Sequence, residues 1–144
     1  MKKIIFCFMV LLVSASMANA QSPITGIYSG TASNVYMGHS VSGTYSASTT
    51  FSNNDMTALS MSISGHSVSI TTPPKLKYNS NSGTYIYDST SNGAGVVTVP
   101  YGGGATYGFD VVSIELSLTS TGVTYTFEAY IEDLGMTISF TFTA

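Results

Sequence analysis

Cysteine is nearly absent from this 144-residue chain. The single cysteine, Cys7, lies in an apolar run near the start that we predict to be removed. The rest of the chain can therefore form no disulfide, no thiolate metal site and no cysteine nucleophile. Its stability has to come from the burial of apolar side chains, and about 120 residues are enough for one such domain.

Charge of either sign is scarce, and arginine and tryptophan are missing altogether. Only 8% of the residues are charged, and the formal net charge is −3. Beyond residue 20, the only cations are Lys75 and Lys77, against seven acidic side chains. Phosphate groups are bound by arginine forks and basic patches. We therefore expect no nucleic-acid partner and no electrostatic attachment to an anionic membrane.

Residues 1–20 have the pattern of a secretory signal peptide. Lys2 and Lys3 precede an apolar run at residues 4–13, and a small-x-small cleavage site ends at Ala20. The cysteine lies inside the apolar run, away from the cleavage site, so it is not placed to accept a lipid. We predict a protein that is secreted or periplasmic, cleaved after Ala20 and not lipidated.

Residues 21–144 are predicted to form a single domain. No stretch in this range reaches the ~18 apolar residues of a membrane-spanning helix, so we predict no transmembrane segment in the mature chain. A transmembrane β-barrel is a weaker alternative, because most of the alternating runs are only about five to nine residues long.

The clearest pattern lies in residues 114–142, where apolar and polar residues alternate. Successive side chains of a strand point to opposite faces of the sheet, so such runs predict strands with one buried and one wetted face. Turn residues at 120–122 and 133–135 separate three of these runs and predict an antiparallel meander. The predicted inward residues are Ile114, Leu116, Leu118, Val123, Tyr125, Phe127, Ala129, Ile131, Met136, Ile138, Phe140 and Phe142.

The earlier part of the chain adds further short strands, separated by turns and by Pro73-Pro74, which ends one of them. In the first strand, the alternation places Ile27, Val35 and Met37 on one face and Tyr28, Ala32 and Tyr36 on the other. Eight to ten strands in one domain predict an all-β fold, an antiparallel up-and-down β-barrel, with a β-sandwich as the alternative. Three consecutive glycines at 102–104 predict a loop tip.

Two segments resemble the calycin-like (lipocalin-like) domains of secreted bacterial proteins. Gly-Ile-Tyr-Ser-Gly at 26–30, soon followed by Val-Tyr-Met-Gly at 35–38, is similar to their opening strand, and residues 138–142 are similar to their last strand. The resemblance implies an eight-stranded barrel with a cup for a small hydrophobic ligand, and Gly26 and Tyr28 as barrel-closing positions. Lipocalins have a tryptophan where this chain has Tyr28, and a basic residue late in their chain packs across it. This chain has no arginine that could do so.

No catalytic or metal-binding motif is present, so we predict a protein that is not an enzyme and has no cofactor. His39 and His66 share no local motif with a carboxylate, and no Gly-x-Ser-x-Gly element occurs. Glu128 and Glu132 are placed on one strand face, but four residues along a strand separate them by about 13 Å. Glycosidase pairs are closer, at about 5–10 Å. Together with Asp133 they are expected to form a solvated surface.

Aromatic residues carry the functional hypotheses. The first is non-catalytic binding of a small apolar or amphipathic ligand inside the barrel, because an eight-stranded barrel can either be filled by side chains or hold one small ligand. The predicted ligand-lining residues are Tyr45, Met61, Tyr125, Phe127 and Phe140. The alternative is an interaction or adhesion module with a filled barrel and a partner on a cell surface. Its predicted contact residues are the loop tyrosines Tyr78, Tyr85, Tyr87, Tyr101 and Tyr107.

Overall fold

The computed structural model describes residues 21–100 and 103–144, so the predicted signal peptide and Tyr101 lie outside the described residues. The described chain is built from strands and two short 3-10 turns, Ser89–Ser91 and Glu132–Leu134. The strands are β1 (Gly26–Met37), β2 (Ser40–Val41), β3 (Tyr45–Ser52), β4 (Asp55–Ile63), β5 (His66–Thr72), β6 (Lys75–Asn79), β7 (Thr84–Asp88), β8 (Ala94–Thr98), β9 (Thr106–Leu118), β10 (Val123–Ile131) and β11 (Met136–Thr143).

The strands close into an eight-stranded antiparallel barrel. Neighbours follow the order β1, β3, β4, β5, β8, β9, β10, β11, and β11 returns to pair with β1. The closing pairs run from Thr31 opposite Thr143 to Met37 opposite Ile138. The predicted up-and-down barrel is therefore confirmed, and the sandwich alternative is wrong, because these eight strands form one continuous closed ring and not two separate layers.

At two places in the barrel wall, two short strands pair with the same longer neighbour. β5 and β6 both pair with β4, and β7 and β8 both pair with β9. The interruptions lie opposite each other, at Pro73-Pro74 and at residues 89–93, and a Cβ on Gly93 would lie 2.5 Å from the Pro74 ring. Proline cannot donate to a strand ladder, so the strand stops there and resumes as β6.

The three meander strands bury the face that the alternation predicts. Ile114 and Leu116 on β9, all five predicted inward residues of β10, and the last three of β11 are buried. Met136, at the start of β11, is half-buried, and Leu118 is 47% exposed, because β9 ends there at the rim of the barrel. The outer wall opposite this core is lined mainly by serine and threonine, which explains how the protein presents a polar surface with few charges.

The set of β1 residues that point into the barrel changes from even-numbered to odd-numbered positions part-way along the strand. Ala32 faces inward, but so do Val35 and Met37, and the pairing with β11 shifts between Ser33 and Tyr36. A residue in the left-handed region, Asn34 with φ 52°, produces this bulge. The prediction that Ala32 and Val35 lie on opposite faces is therefore wrong, because strict alternation does not anticipate the extra residue.

The barrel-closing role implied for Gly26 and Tyr28 is not what the pairing shows. Both residues pair with β3, and the pairing of β1 with β11 begins only at Thr31. The glycine at the closure is Gly30, where a Cβ would lie 2.0 Å from the carbonyl oxygen of Thr143. Gly30 thus allows the two strands that close the barrel to approach each other.

Candidate functional site

The residues predicted to line a ligand cup occupy the barrel core. Met61, Tyr125, Phe127 and Phe140 are each at most 3% exposed. Tyr45 lies apart from them, half-buried at the end of the barrel where β1 finishes, which we call the upper end. The structure thus brings four of the five predicted residues together and places the fifth at the barrel mouth.

The aromatic rings of the core stack on one another across three strands. The rings of Phe127 and Phe140 are parallel, with centroids 4.9 Å apart, and the rings of Tyr125 and Phe142 stack at 4.8 Å. Phe109 meets Phe127 edge-on at 6.0 Å. These offset and edge-to-face distances are those of directly packed rings, so side chains occupy the space between the predicted lining residues.

A hydrogen bond crosses the barrel interior from β3 to β10. It joins the hydroxyl groups of Thr49 and Tyr125, 2.5 Å apart, and both residues are almost fully buried. Burial raises the pKa of the Tyr125 hydroxyl above its usual value, and the bond to Thr49 opposes only part of that change. The two groups satisfy each other, as polar groups in an apolar core must.

The opposite, lower end of the barrel is covered by residues 21–25. Ile24 is 3% exposed and packs into the core. Its amide donates to Oδ1 of Asn54 at 2.8 Å, and its carbonyl accepts from the Asn54 amide at 3.0 Å. The hydroxyl of Tyr85 donates to the carbonyl of Ser22 at 2.7 Å. This segment therefore closes the lower end of the interior.

The four loop tyrosines in the described part of the chain do not form one rim. Tyr78 and Tyr85 pair with each other at the lower end, whereas Tyr107 lies near the start of β9 at the upper end. Tyr85 is only 2% exposed, and the hydroxyl of Tyr87 accepts a hydrogen bond from the Gly93 amide at 2.9 Å. The prediction of a continuous exposed tyrosine rim is therefore wrong for these residues. Only Tyr78 among them is well exposed, at 40%.

The two histidines lie apart from the carboxylates of Glu128 and Glu132. His39 is exposed in the turn after β1, and Nδ1 of His66 lies 3.1 Å from the carbonyl oxygen of Ile63. Glu128 is on β10, but Glu132 lies past the end of that strand in a 3-10 turn, so the two do not share a strand face. Residues 21–100 and 103–144 contain no group of three or more His, Cys, Asp or Glu that could hold a metal ion.

Asp88 has a local structural role. Its carboxylate accepts hydrogen bonds from the side chain and the amide of Thr90, which hold the pKa of Asp88 below its usual value, and Lys77 and Lys75 add a smaller effect. The aspartate thereby caps the 3-10 turn between β7 and β8. It belongs to the strand interruption rather than to a reactive site.

The sequence reasoning did not identify a groove at the upper end, which we call the corner groove. It lies where β1 turns through β2 into β3 and has a volume of about 540 Å³. Its signals in the sequence are Asn34, Gly38 and Gly43, all of which adopt positive φ in the bulge and turn. The lining residues are Ser33, Asn34, Val35, Tyr36, Ser40, Val41, Ser42, Gly43 and Thr44.

Hydrogen bonds hold the loop that borders the corner groove. The hydroxyl of Tyr45 donates to the carbonyl of Ser42 at 2.8 Å and lies 3.2 Å from the Ser64 hydroxyl on a neighbouring turn. The β2 pairing of Val41 with Val35 holds the other side of the loop. The groove is therefore a formed feature of the fold, and Tyr45, predicted as a ligand-lining residue, supports it.

Comparison with family models, curated proteins and solved structures finds no match.

Within the described residues, no helix is long and apolar enough to span a membrane. The described part of the chain has a packed apolar core, walls lined by hydroxyl groups and open surface grooves. These are means of binding a molecule by shape, ring contact and neutral hydrogen bonds.

Proposed function

We propose that this protein is a non-catalytic binding protein whose ligand occupies an open surface site of the barrel. One observation carries the proposal: packed aromatic rings fill the interior between Met61, Tyr125, Phe127 and Phe140, whereas open grooves lie on the outside. The resemblance of the opening and closing strands to calycin-like domains supports binding rather than catalysis as the role.

The energetic argument favours the surface over the interior. Fully burying a phenylalanine side chain contributes about 1.5–3 kcal/mol. A ligand that displaced both Phe127 and Phe140 into water would therefore forfeit about 3–6 kcal/mol. A micromolar ligand gains only about 8 kcal/mol in total. An apolar ligand inside the barrel, the first hypothesis from the sequence, would have to offset this loss of free energy by its own contacts with the protein.

Export is part of the same proposal. The lysines, apolar run and Ala-x-Ala pattern of residues 1–20 support removal of this segment, which would place the domain in the periplasm or outside the cell. Mass spectrometry of the protein purified from its producing cells should find a chain that begins at Gln21. A chain that retains residues 1–20 would contradict export by this route.

The test of the proposed function is the thermal midpoint of the mature domain against two panels of compounds. One panel holds fatty acids, sterols, bile-type amphiphiles and haem, and the other holds water-soluble oligosaccharides and peptides. A ligand at a hundredfold excess over its Kd stabilises the folded state by about 2.7 kcal/mol, which raises the midpoint of a domain of this size by roughly ten degrees. We expect such shifts only from the second panel.

A matched pair of variants locates the binding. Tyr36→Ala alters the corner groove, and Phe127→Leu alters the packed core and leaves the residues that line the corner groove unchanged. A shift that persists in Phe127→Leu and is lost in Tyr36→Ala supports the surface site. If a member of the apolar panel raises the midpoint and Phe127→Leu changes that shift, the ligand enters the barrel and the proposal is wrong.

A further inference from the structure

The corner groove carries no charge, since none of its lining residues is ionised at neutral pH. A groove near Gly30 is likewise uncharged, but no aromatic side chain lines it. Another groove, near Gly108, contains Asp110, Glu132 and Asp133. A charged ligand would give up part of its hydration in the corner groove without gaining a counter-ion there. The lack of charge therefore favours a neutral ligand.

The groove offers many neutral hydrogen-bonding groups. Asn34 carries a carboxamide, and Ser40, Ser42 and Thr44 carry hydroxyl groups that can both donate and accept. These four side chains form no hydrogen bond with another group in the described part of the chain, since the bond at Ser42 is made by its carbonyl. They are exposed and free to bond a ligand rich in hydroxyl groups.

Tyr36 adds an aromatic surface to these polar groups. It lines the groove and keeps 40% of its area exposed, because the bulge at Asn34 turns it outward while its neighbours Val35 and Met37 face the core. An exposed tyrosine presents an apolar ring face beside a polar hydroxyl. A ligand with both an apolar face of C–H groups and a polar rim matches this arrangement.

The groove is also held in shape before any ligand binds. Asn34 with φ 52° and Gly43 with φ 114° set the bulge and the loop, and the hydroxyl of Tyr45 fixes the Ser42 carbonyl at 2.8 Å. Preformed sites avoid the entropy of ordering a loop on binding. Its volume of about 540 Å³ lies within the range of small-molecule sites.

We propose that the corner groove binds a neutral saccharide, with a sugar ring on the face of Tyr36 and its hydroxyl groups bonded to Asn34, Ser40 and Thr44. This inference rests on the proposed function and names the ligand class of its surface site. Sugars combine an apolar C–H face, a polar hydroxyl rim and no charge, which are the three properties that the groove selects.

The test is a titration of the isotope-labelled domain, residues 21–144, monitored by amide NMR shifts. The probes are glucose-, galactose-, mannose- and N-acetylglucosamine-containing disaccharides, each also in a sulfated form, up to millimolar concentrations. We expect shifts confined to residues 33–44 with at least one neutral disaccharide, and weaker binding of its sulfated form. Comparing the free disaccharide with the same disaccharide on a glycopeptide distinguishes a free sugar from a protein-linked glycan as the source.

Three variants test whether the saccharide binds in the corner groove. Tyr36→Ala should weaken the binding at least about tenfold, a difference well above experimental error. Asn34→Gly should weaken it several-fold, and glycine keeps the positive φ of the bulge, so the fold is preserved. Tyr78→Ala is the matched control: Tyr78 is also 40% exposed but lies at the other end of the barrel, and this variant should bind normally.

The outcomes separate this inference from the proposed function. If peptides but no sugars shift residues 33–44, the surface site stands and the saccharide assignment is wrong. If sugars bind but Tyr78→Ala abolishes the effect while Tyr36→Ala does not, the corner groove is the wrong site. If only apolar compounds bind, with shifts at core residues such as Phe127, both the inference and the proposed function are overturned. Equal binding of neutral and sulfated sugars would refute the argument from charge.

Discussion

The hydrogen bond between Thr49 and Tyr125 provides a sharp test of how the barrel interior is stabilised. The two hydroxyls lie 2.5 Å apart, on strands that do not pair with each other, and Thr49 and Tyr125 are 0% and 1% exposed. The two perturbations are Tyr125→Phe and Thr49→Val. Each removes one hydroxyl with little change of shape, so the stacking of the ring at position 125 on Phe142 is retained.

Each single variant leaves one buried hydroxyl without its partner. An unsatisfied buried polar group costs about 1–3 kcal/mol, whereas replacing both partners by apolar groups of the same shape can be nearly neutral. We therefore expect Tyr125→Phe and Thr49→Val each to lower the free energy of unfolding by about 1–3 kcal/mol. The double variant should lose no more than either single variant, which corresponds to a coupling energy of about 1–3 kcal/mol.

The assay is urea unfolding of the mature domain with all four members of the cycle, and the dependence on denaturant should stay unchanged. Tyr45→Phe serves as a control, since its hydroxyl is exposed at the barrel mouth and its loss should cost only about 0.5–1.5 kcal/mol. Losses in the double variant equal to the sum of the single losses would show that the two hydroxyls do not stabilise each other. Such a result would refute our account of the interior.

Three further predictions concern pH, closure and the lower end of the barrel. Because burial raises the pKa of Tyr125 in the folded state, its stabilising effect is complete below the unfolded value of about 10 and is lost as the pH rises further. In urea unfolding above about pH 10, the free energy of unfolding of the native domain should therefore fall, relative to that of Tyr125→Phe, by about 1.4 kcal/mol per pH unit. If the free energies of unfolding of the two proteins change equally with pH, this prediction is wrong. Gly30→Ala should lower the free energy of unfolding by about 1–3 kcal/mol, because its Cβ would lie 2.0 Å from the Thr143 carbonyl oxygen. The matched Gly108→Ala meets nothing within 4 Å and should change stability little, so equal losses in a thermal melt would count against close approach at the closure. Ile24→Ala should cost about 2–5 kcal/mol in the same melt, since the side chain is 3% exposed, and a loss near zero would show that residues 21–25 do not seal the barrel.

Much of the barrel could be predicted because the alternation of apolar and polar residues in each strand indicates which face is buried. On β10, all five apolar positions from Val123 to Ile131 are buried as the alternation requires. Turn residues between β9, β10 and β11 likewise set the antiparallel order of these strands. Such features depend only on neighbours in the chain, so local sequence is sufficient to predict them.

The candidate site was less accessible to sequence reasoning. Strict alternation places Tyr36 on the same face of β1 as Ala32, yet the bulge at Asn34 leaves Ala32 buried and turns Tyr36 outward into the corner groove. Tyr85 reads as a loop residue, yet its pairing with Leu116 places it in the core. A single left-handed residue or an inserted hairpin reverses the face of a side chain, and neither leaves a periodic signal.

By itself, the sequence determined that residues 21–144 have the alternating strands of an all-β fold, no cysteine and little charge. Composition and period-two patterning are properties of the chain, and they limit which faces can be buried. Only the tertiary structure decided that β1 pairs with β11 to close the barrel, that Pro73-Pro74 interrupts a strand that resumes as β6, and that aromatic rings fill the interior. These outcomes depend on contacts between residues far apart in the chain, whose geometry is set when all the strands pack together.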